Sequence, residues 1–234
     1  MRALAIVHQP DAGPGVFAEE MRNRGVELDE WALSERGTSP PAEIASYDAV
    51  LSFGGAMHAD QEDRHPWLRF EKDFLAAMLE DGMPILAVCL GCQILAEAAG
   101  GVARRASEPE IGWHDVEVTE AGAGDPVIGP LAPSFKAFQW HSYEAVPPDG
   151  AVQLARSPVC GQAYRVGESA WGIQFHAEVT GTDVGKWIDD YRSDEDAVRI
   201  SVDPDELRAE SEGRMAEWNR LGQELCGRFL EAIG

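Results

Sequence analysis

The feature that most constrains the fold is a junction near the middle of the chain, where an apolar run enters a helix through a single cysteine. Met83–Val88 is almost continuously apolar, which is typical of a strand buried on both faces of a parallel sheet. Cys89 follows, and Gly91–Ala99 then has the pattern of a helix that ends at Gly100-Gly101. A strand that enters a helix without a loop favours a chain built from βαβ units.

The residues before this junction show the same alternation of strands and helices. Strands are predicted at Arg2–Val7, Val26–Trp31 and Asp48–Phe53, and helices at Val16–Arg24 and Pro66–Glu80. This order predicts an α/β fold with a flavodoxin-like, doubly wound and mostly parallel sheet.

Beyond Gly101 the pattern changes to short β-like segments separated by proline and glycine turns. They are His114–Thr119, Phe135–Trp140, Gln153–Ala155, Gln162–Val166 and Ala170–Phe175. We interpret these segments as an antiparallel extension at the edge of the sheet, with hairpins, and not as a second domain.

Residues 179–234 are predicted to form a helical tail. Asp189–Asp196 is read as an acidic turn, and Asp203 as the N-cap of a helix with Pro204 at its first position. The apolar side chains of this helix recur at helical spacing: Met215, Trp218, Leu221, Leu225 and Phe229. They predict a helix packed on the sheet, and a partner-binding helix is the alternative. The whole chain, 1–234, is predicted to be one domain with a core of about 1–180 and a tail of about 181–234.

Charge and apolar run length exclude several classes of protein. The chain has 41 acidic and 19 basic side chains, a net charge of −22, which disfavours binding to nucleic acid or to anionic membranes. Ile85–Leu90 is far shorter than a membrane span, and Ala3–Val7 is too short for the core of a signal peptide. Four cysteines make a poor disulfide framework for this length, so a cytoplasmic protein is expected.

The strand–Cys89–helix junction has the sequence form of a nucleophile elbow. Small residues stand two positions before and after the cysteine, Ala87 and Gly91, where bulky side chains would clash in so tight a turn. The thiol would project above the carboxyl edge of the sheet, at a helix N-terminus that favours thiolate. A buried structural cysteine before a helix is the plainer alternative.

A second pair of chemically active residues follows the last predicted strand. His176 and Glu178 come after Ala170–Phe175, and residues i and i+2 at a strand end project to the same side. A carboxylate there can hold the imidazole in the tautomer that accepts a proton from sulfur. We therefore predict Cys89, His176 and Glu178 as a catalytic set.

Three segments in this order resemble class I glutamine amidotransferases of the Cys-His-Glu type. They are VLSFGG, AVCLGCQILAEAAGG and QFHAE, within residues 49–178. MHADQEDRHPWL and QWHSYEAVPP resemble more narrowly the stand-alone branch that is similar to the glutaminase of GMP synthase.

The resemblance implies a role for each matching residue. Cys89 would attack the side-chain amide of L-glutamine and form a γ-glutamyl thioester, with His176 moving the proton and Glu178 orienting His176. The backbone N–H groups of Gly55 and Leu90 would form the oxyanion hole. The resemblance also implies substrate contacts for three further residues: Gln93, Ser142 and Tyr143. It implies no metal and no organic cofactor.

The chain departs from the family pattern at three positions. Ala87 replaces the first glycine of the elbow, Cys92 the usual histidine after its second glycine, and Ala177 the proline between the catalytic histidine and glutamate. None of these changes removes a member of the triad, and Cys92 is the one that bears most on the specificity of the pocket.

Other interpretations of the same residues stay open. Cys89 and Cys92 form a C-x-x-C motif, which is also found in redox and zinc sites, but Cys160 and Cys226 are single and offer no second ligand pair. A reversible Cys89–Cys92 disulfide that blocks catalysis is a secondary hypothesis. His58–His65 contains metal-ligand residue types, and we interpret it as a polar loop at the rim of the pocket.

Three functions are compatible with these motifs. The first is a glutaminase that gives ammonia to an unidentified acceptor. Because the chain has no nucleotide-binding motif, its candidate partner is a separate synthetase subunit. The second is a hydrolase of γ-glutamyl peptides that uses the same triad. The third is a non-catalytic regulatory protein that keeps only the fold.

Overall fold

A nine-stranded sheet organises the part of the chain that the structure describes. The computed structural model describes residues 1–36 and 42–234. The strand order is β2-β1-β3-β4-β9-β8-β7-β5-β6, in which the first five strands are parallel and the others antiparallel. The predicted α/β class, with a doubly wound parallel sheet and an antiparallel edge, is therefore confirmed.

The parallel strands lie close to their predicted positions. They are β1 (Arg2–Val7), β2 (Glu27–Ala32), β3 (Ala49–Ser52), β4 (Ile85–Val88) and β9 (Ala170–Ile173). Alternate residues of one strand enter different cores: Leu4 and Ile6 pack on one side of the sheet, and Ala3 and Ala5 on the other. A strand covered on both faces must be apolar throughout, which is why these segments could be recognised.

Helices cover both faces of the sheet. They are α1 (Gly15–Asn23), α2 (Leu33–Arg36), α3 (Trp67–Glu80), α4 (Leu90–Ala98), α5 (Glu120–Ala123), α6 (Gly181–Asp189), α7 (Glu195–Arg199) and α8 (Pro204–Ile233). The apolar faces of α3 and α4 pack on one side of the sheet, and those of α1, α6 and α8 on the other. Short 3-10 turns lie at Ile44–Ser46, Gly129–Leu131 and Tyr191–Ser193.

The antiparallel strands differ most from prediction. They are β5 (Val102–Val118), β6 (Ser134–Val146), β7 (Val152–Arg156) and β8 (Gly161–Val166). β5 and β6 are much longer than His114–Thr119 and Phe135–Trp140. The first part of β5 is exposed at most positions and carries a bulge between Arg105 and Glu110, so its sequence lacks the apolar alternation that marks a strand.

The C-terminal region contains α6, the predicted long helix α8 and, between them, the short helix α7, which was not predicted. Asp203 caps α8 by accepting hydrogen bonds from the amides of Asp205 and Glu206, with Pro204 at the first position, as expected. The predicted turn at Asp189–Asp196 is wrong in detail, because a 3-10 turn and α7 occupy this region. Asp194 accepts hydrogen bonds from the amides of Asp196 and Ala197 and so caps α7. The acidic residues therefore begin a helix where the sequence suggested only a turn.

Within the described ranges, no helix combines the length and apolar character needed to span a bilayer.

Candidate active site

Cys89 lies at a sharp turn between β4 and α4. Its backbone has φ 52° and ψ −110°, a conformation rare for residues other than glycine. The turn is held from both sides: Cys89 N–H donates to the Ile173 carbonyl at 2.8 Å, and Gly91 N–H to the Phe53 carbonyl at 3.0 Å. A side chain at Gly91 would overlap with Ser52. The local geometry is that of the predicted elbow.

His176 and Glu178 lie beside Cys89 on the same side of the sheet. His176 Nδ1 donates to Glu178 Oε1 at 2.8 Å, and Cys89 lies beside the imidazole, with its Sγ 3.9 Å from the Trp140 carbonyl oxygen. All three side chains are buried. β9 ends at Ile173, so His176 and Glu178 do not lie at the strand end, as the sequence argument assumed, but in an irregular segment beyond it.

The environment of His176 favours its protonated form. Burial alone would lower the pKa of the imidazole, but the charge of Glu178 and the contact with Cys89 outweigh burial and raise its pKa to about 10. An imidazolium beside a sulfur atom stabilises the thiolate, the form of cysteine that acts as a nucleophile.

Gly55 and Leu90 line the cavity above Cys89, and the backbone N–H of neither residue has an acceptor among residues 1–36 and 42–234. Leu90 is the first residue of α4, where helix amides have no partner within the helix. These two donors are the ones predicted for an oxyanion hole.

A buried network that the sequence analysis missed holds the Gly54-Gly55 turn. His8 Nδ1 donates to the Gly54 carbonyl at 3.0 Å, and its Nε2 to Glu71 at 2.7 Å. Ser52 Oγ donates to the other oxygen of Glu71 at 2.7 Å. Burial lowers the pKa of His8, but the charge of Glu71 outweighs this effect and the pKa is raised. The signal in the sequence was a lone histidine at the end of β1, which fits many structural roles.

A cavity of about 480 Å³ opens above Cys89. Gln93, Ser142 and Tyr143 line it, as do Cys89 and His176, whereas Glu178 lies behind His176. Gln93 Nε2 donates to the Tyr143 carbonyl at 3.0 Å and thereby ties α4 to β6. The structure thus brings every predicted site residue to one cavity or directly behind it.

The loop His58–His65 lies at the rim of this cavity. His58, Gln61 and Arg64 line it, and the ring of His58 stacks on Tyr143 at 4.2 Å between centroids. Burial is the main reason why the pKa of His58 is lowered. A polar rim was the interpretation made from the sequence.

The opposite wall was not predicted and comes from the segment between α6 and α8. Asp190, Asp194 and Asp196 line the cavity there, with Ser193 and Glu195 between them. Trp140 Nε1 donates to Asp194 at 2.9 Å, and Asp196 accepts hydrogen bonds from Ser142, Arg199 and Arg105. Burial alone would raise the pKa of Asp196, but these three partners lower it to about 2.

Cys92 lies away from the cavity although it is close to Cys89 in sequence. It is 1% exposed, and its thiol contacts Gln174 Oε1 at 3.7 Å. Burial raises the pKa of this thiol, so it is not a reactive group. Cys92 belongs to the core on the α3–α4 side of the sheet, whereas Cys89 belongs to the other core.

One cluster has the residue types of a metal site. Glu110, His141 and Cys160 are buried, with ligand atoms within 4.8 Å of one another. Glu110 Oε2 accepts hydrogen bonds from Gln162 at 2.7 Å and Ser157 at 3.0 Å, and lies 3.3 Å from His141 Nε2. These contacts make the cluster a hydrogen-bonded support for the strand that carries Ser142. Because Glu110, His141 and Cys160 are far apart in the sequence, they do not form a metal-ligand motif that could be recognised there.

The comparisons with known proteins identify one family. Residues 16–189 match the profile described as glutamine amidotransferase class-I. A relative from Halobacterium salinarum, named as a subunit of glutamine-hydrolysing GMP synthase, is 35% identical over 155 residues, 64% of this chain and 76% of that protein. The protein of the same name from Haloquadratum walsbyi is 32% identical over 192 residues, 80% of this chain and 95% of that protein.

A solved structure extends the similarity to the whole chain. The crystal structure of a glutamine amidotransferase from Thermotoga maritima has a TM-score of 0.88 at 27% sequence identity. The similarity covers 99% of this chain and 98% of that one, so it includes the region of α7 and α8 that the family profile leaves out.

Proposed function

Because this chain belongs to the class I glutamine amidotransferase family, we propose that it hydrolyses the side-chain amide of L-glutamine through a thioester at Cys89. The observation that carries this proposal is the chain of contacts from Cys89 to His176 to Glu178 beneath an open cavity. A nucleophile, its base and the group that orients the base are the parts that amide hydrolysis through cysteine needs.

The proposed first half-reaction transfers the γ-glutamyl group to sulfur. The Cys89 thiolate attacks the amide carbon, and the oxygen that becomes negative accepts the N–H groups of Gly55 and Leu90. The protonated imidazole of His176 then gives its proton to the departing nitrogen, and ammonia leaves. Each such oxyanion donor typically contributes about 10²–10³ in rate.

The proposed second half-reaction returns the enzyme to its starting state. His176, now neutral, removes a proton from water, which attacks the thioester carbon. The bond to sulfur breaks, glutamate leaves, and the pair of thiolate and imidazolium is restored. Over the cycle, glutamine and water become glutamate and ammonia. Gln93 would contact the substrate, and Ser142 and Tyr143 would hold its amino-acid end.

The destination of the ammonia is proposed by analogy with the relatives. Several of them are named as one subunit of a glutamine-hydrolysing GMP synthase. We propose that the partner that uses the ammonia is a separate synthetase subunit.

The size of the cavity supports a second candidate function. About 480 Å³ lies within the range of roughly 300–1,000 Å³ that is typical of sites for drug-sized ligands. A γ-glutamyl amide with a leaving amine larger than ammonia would fit such a space, and the same triad would cleave it. A γ-glutamyl peptide hydrolase is therefore the alternative.

The deciding experiment measures ammonia and glutamate released from glutamine, alone and in competition with γ-glutamyl dipeptides. We expect equal amounts of the two products, no turnover by Cys89→Ser, and turnover close to wild type for Cys92→Ala, whose thiol lies outside the cavity. Rapid cleavage of dipeptides with slow glutamine turnover would favour the peptide hydrolase. If no substrate is turned over and a glutamine-analogue diazoketone leaves Cys89 unmodified, the fold serves a non-catalytic role.

A further inference from the structure

The segment that carries His176 and Glu178 has no regular secondary structure, so its position depends on contacts from other elements. His176 N–H donates to the Phe138 carbonyl at 2.9 Å, and the Glu178 carbonyl accepts from Val16 N–H at 2.8 Å. Buried backbone groups must be paired, and in this segment their hydrogen-bond partners determine where the side chains of His176 and Glu178 lie.

The ring of Trp187 in α6 packs edge-on against the ring of His176, at 4.8 Å between centroids, and the C-terminal helix contacts the backbone of the segment. Trp218 Nε1 donates to the His176 carbonyl at 2.8 Å, and Asn219 Nδ2 donates to the Val179 carbonyl at 2.7 Å. One turn beyond Trp218, Gly222 lies so close that a Cβ there would overlap with the Ala177 carbonyl oxygen. Thus α8 contacts the backbone at three of the four residues from 176 to 179.

The surroundings of Trp218 leave its ring little freedom. The side chain is buried, and its ring packs edge-on against Trp113, at 5.6 Å between centroids, and against Phe175, at 6.0 Å. It stacks on Phe135 at 6.3 Å. A ring packed on three sides holds its N–H in one direction, so the core around Trp218, which includes Phe175, fixes the direction of the hydrogen bond to His176.

We propose that the α8 surface formed by Trp218, Asn219 and Gly222 positions the imidazole of His176 against Cys89. These three are positioning residues, because they touch only the backbone of the 176–179 segment. The family profile ends at residue 189, so this support comes from outside the region that defines the family. The inference rests on the proposed function for its effect on turnover, but not for its effect on the contact between His176 and Cys89.

The main test is Trp218→Phe, which keeps an aromatic ring and removes the N–H donor. We expect kcat for glutamine to fall about 10- to 100-fold, because small misplacements of reacting groups have effects of this size. KM should change less than about threefold, since α8 does not line the cavity. Asn219→Ala should also lower kcat. Because Asn219 is only half-buried, this change should disturb the core less than Trp218→Phe.

Trp113→Phe is the matched control. It removes an indole donor from the same aromatic cluster, but that donor pairs with Ser211 on α8 at 3.0 Å and not with the 176–179 segment. Both variants should lose a similar amount of thermal stability. Only Trp218→Phe should lose activity beyond about twofold.

A second readout separates this inference from the proposed function. Alkylation of Cys89 by iodoacetamide at pH 7, located by peptide mass spectrometry, reports the reactivity of its sulfur, which depends on the position of His176. We expect a rate about tenfold lower in Trp218→Phe and an unchanged rate in Trp113→Phe. If wild type fails to hydrolyse glutamine, this comparison still decides the positioning role. Equal alkylation rates in Trp218→Phe and wild type would overturn it.

Discussion

At position 89 the strain of the backbone and the reactivity of the side chain have a common origin. A positive φ is unfavourable for a residue with a Cβ and costs about 1–3 kcal/mol. The flanking hydrogen bonds from Cys89 to Ile173 and from Gly91 to Phe53 hold this conformation in place. The strained turn directs the sulfur towards His176 and leaves the Leu90 amide free, so one local feature supplies both the nucleophile and a donor for the oxyanion.

Replacing the sulfur and replacing the carboxylate should have different consequences. Cys89→Ser should lower kcat by at least about 10⁴-fold, because a neutral hydroxyl is a much weaker nucleophile beside this imidazole. Glu178→Gln should lower kcat about 10²-fold, since this residue orients His176 and does not react. Both values can be read from initial rates of glutamate release.

The order of the two effects is the diagnostic result. Circular dichroism should show both variants folded, and the diazoketone should label Glu178→Gln but not Cys89→Ser. Comparable rates for Cys89→Ser and wild type would refute the thioester mechanism, whatever the behaviour of the glutamate variant.

At the scale of elements, the strand–helix junction depends on the absence of a side chain at Gly91. A Cβ there would overlap with Ser52, at the end of the neighbouring strand β3. Overpacking of this kind costs about 1–3 kcal/mol, and a domain of this size loses roughly 2–4 °C of Tm per kcal/mol. We therefore expect Gly91→Ala to lower Tm by about 2–12 °C in a thermal melt, with reduced activity because Leu90 and Cys89 must shift.

Gly213→Ala provides the control for this prediction. Gly213 lies in α8, is exposed, and has open space where a Cβ would be added. Alanine favours helices over glycine by about 1 kcal/mol, so this variant should keep or slightly raise Tm. A Gly91→Ala protein as stable and active as Gly213→Ala would show that the elbow tolerates a side chain.

The elements also show which parts of the fold the sequence could predict. The parallel strands are buried on both faces, and β4 is a continuous apolar run that can be found in the sequence without other information. The first half of β5 lies exposed in a two-stranded ribbon with β6, where pairing and not burial makes the strand. Its run of arginine and glutamate residues therefore resembled a loop.

In the candidate site, too, features formed by adjacent residues could be predicted, and features formed by residues distant in sequence could not. Cys89 with its helix, and His176 with Glu178, are short motifs whose chemistry can be read from adjacent residues. The wall formed by Asp190, Asp194 and Asp196 exists because α7 and its cap pack onto Arg105 and Trp140, which lie 91 positions before Asp196 and 54 positions before Asp194. Residue spacing in the sequence does not predict such a contact. It also does not predict the hydrogen bond between Trp218 and His176.

At the scale of the whole molecule, the buried His176 couples folding to pH. The folded protein raises the pKa of this imidazole from 6.5 to about 10, because Glu178 and Cys89 outweigh the effect of burial. In the thiolate–imidazolium pair the proton on His176 is offset by the one that Cys89 has given up, so the native state holds a net extra proton only above about pH 8.5, where the thiol of the unfolded chain also ionises. The stabilising contribution is therefore constant between pH 6.5 and about pH 8.5 and is lost as pH rises through 10.

This coupling predicts that Tm depends differently on pH in wild type and in His176→Gln. The Tm of wild type should fall from about pH 8.5 to 10 more steeply than that of His176→Gln, by an amount equivalent to at most about 1.4 kcal/mol per pH unit. His8, whose pKa is also raised, is present in both proteins, so its contribution cancels in the comparison. Calorimetry at 0.5 M salt would reduce the general repulsion from the net charge of −22, which acts on both proteins alike. Parallel slopes would mean that His176 is not protonated in the native state, and the thiolate–imidazolium pair proposed for catalysis would then have to form only when substrate binds.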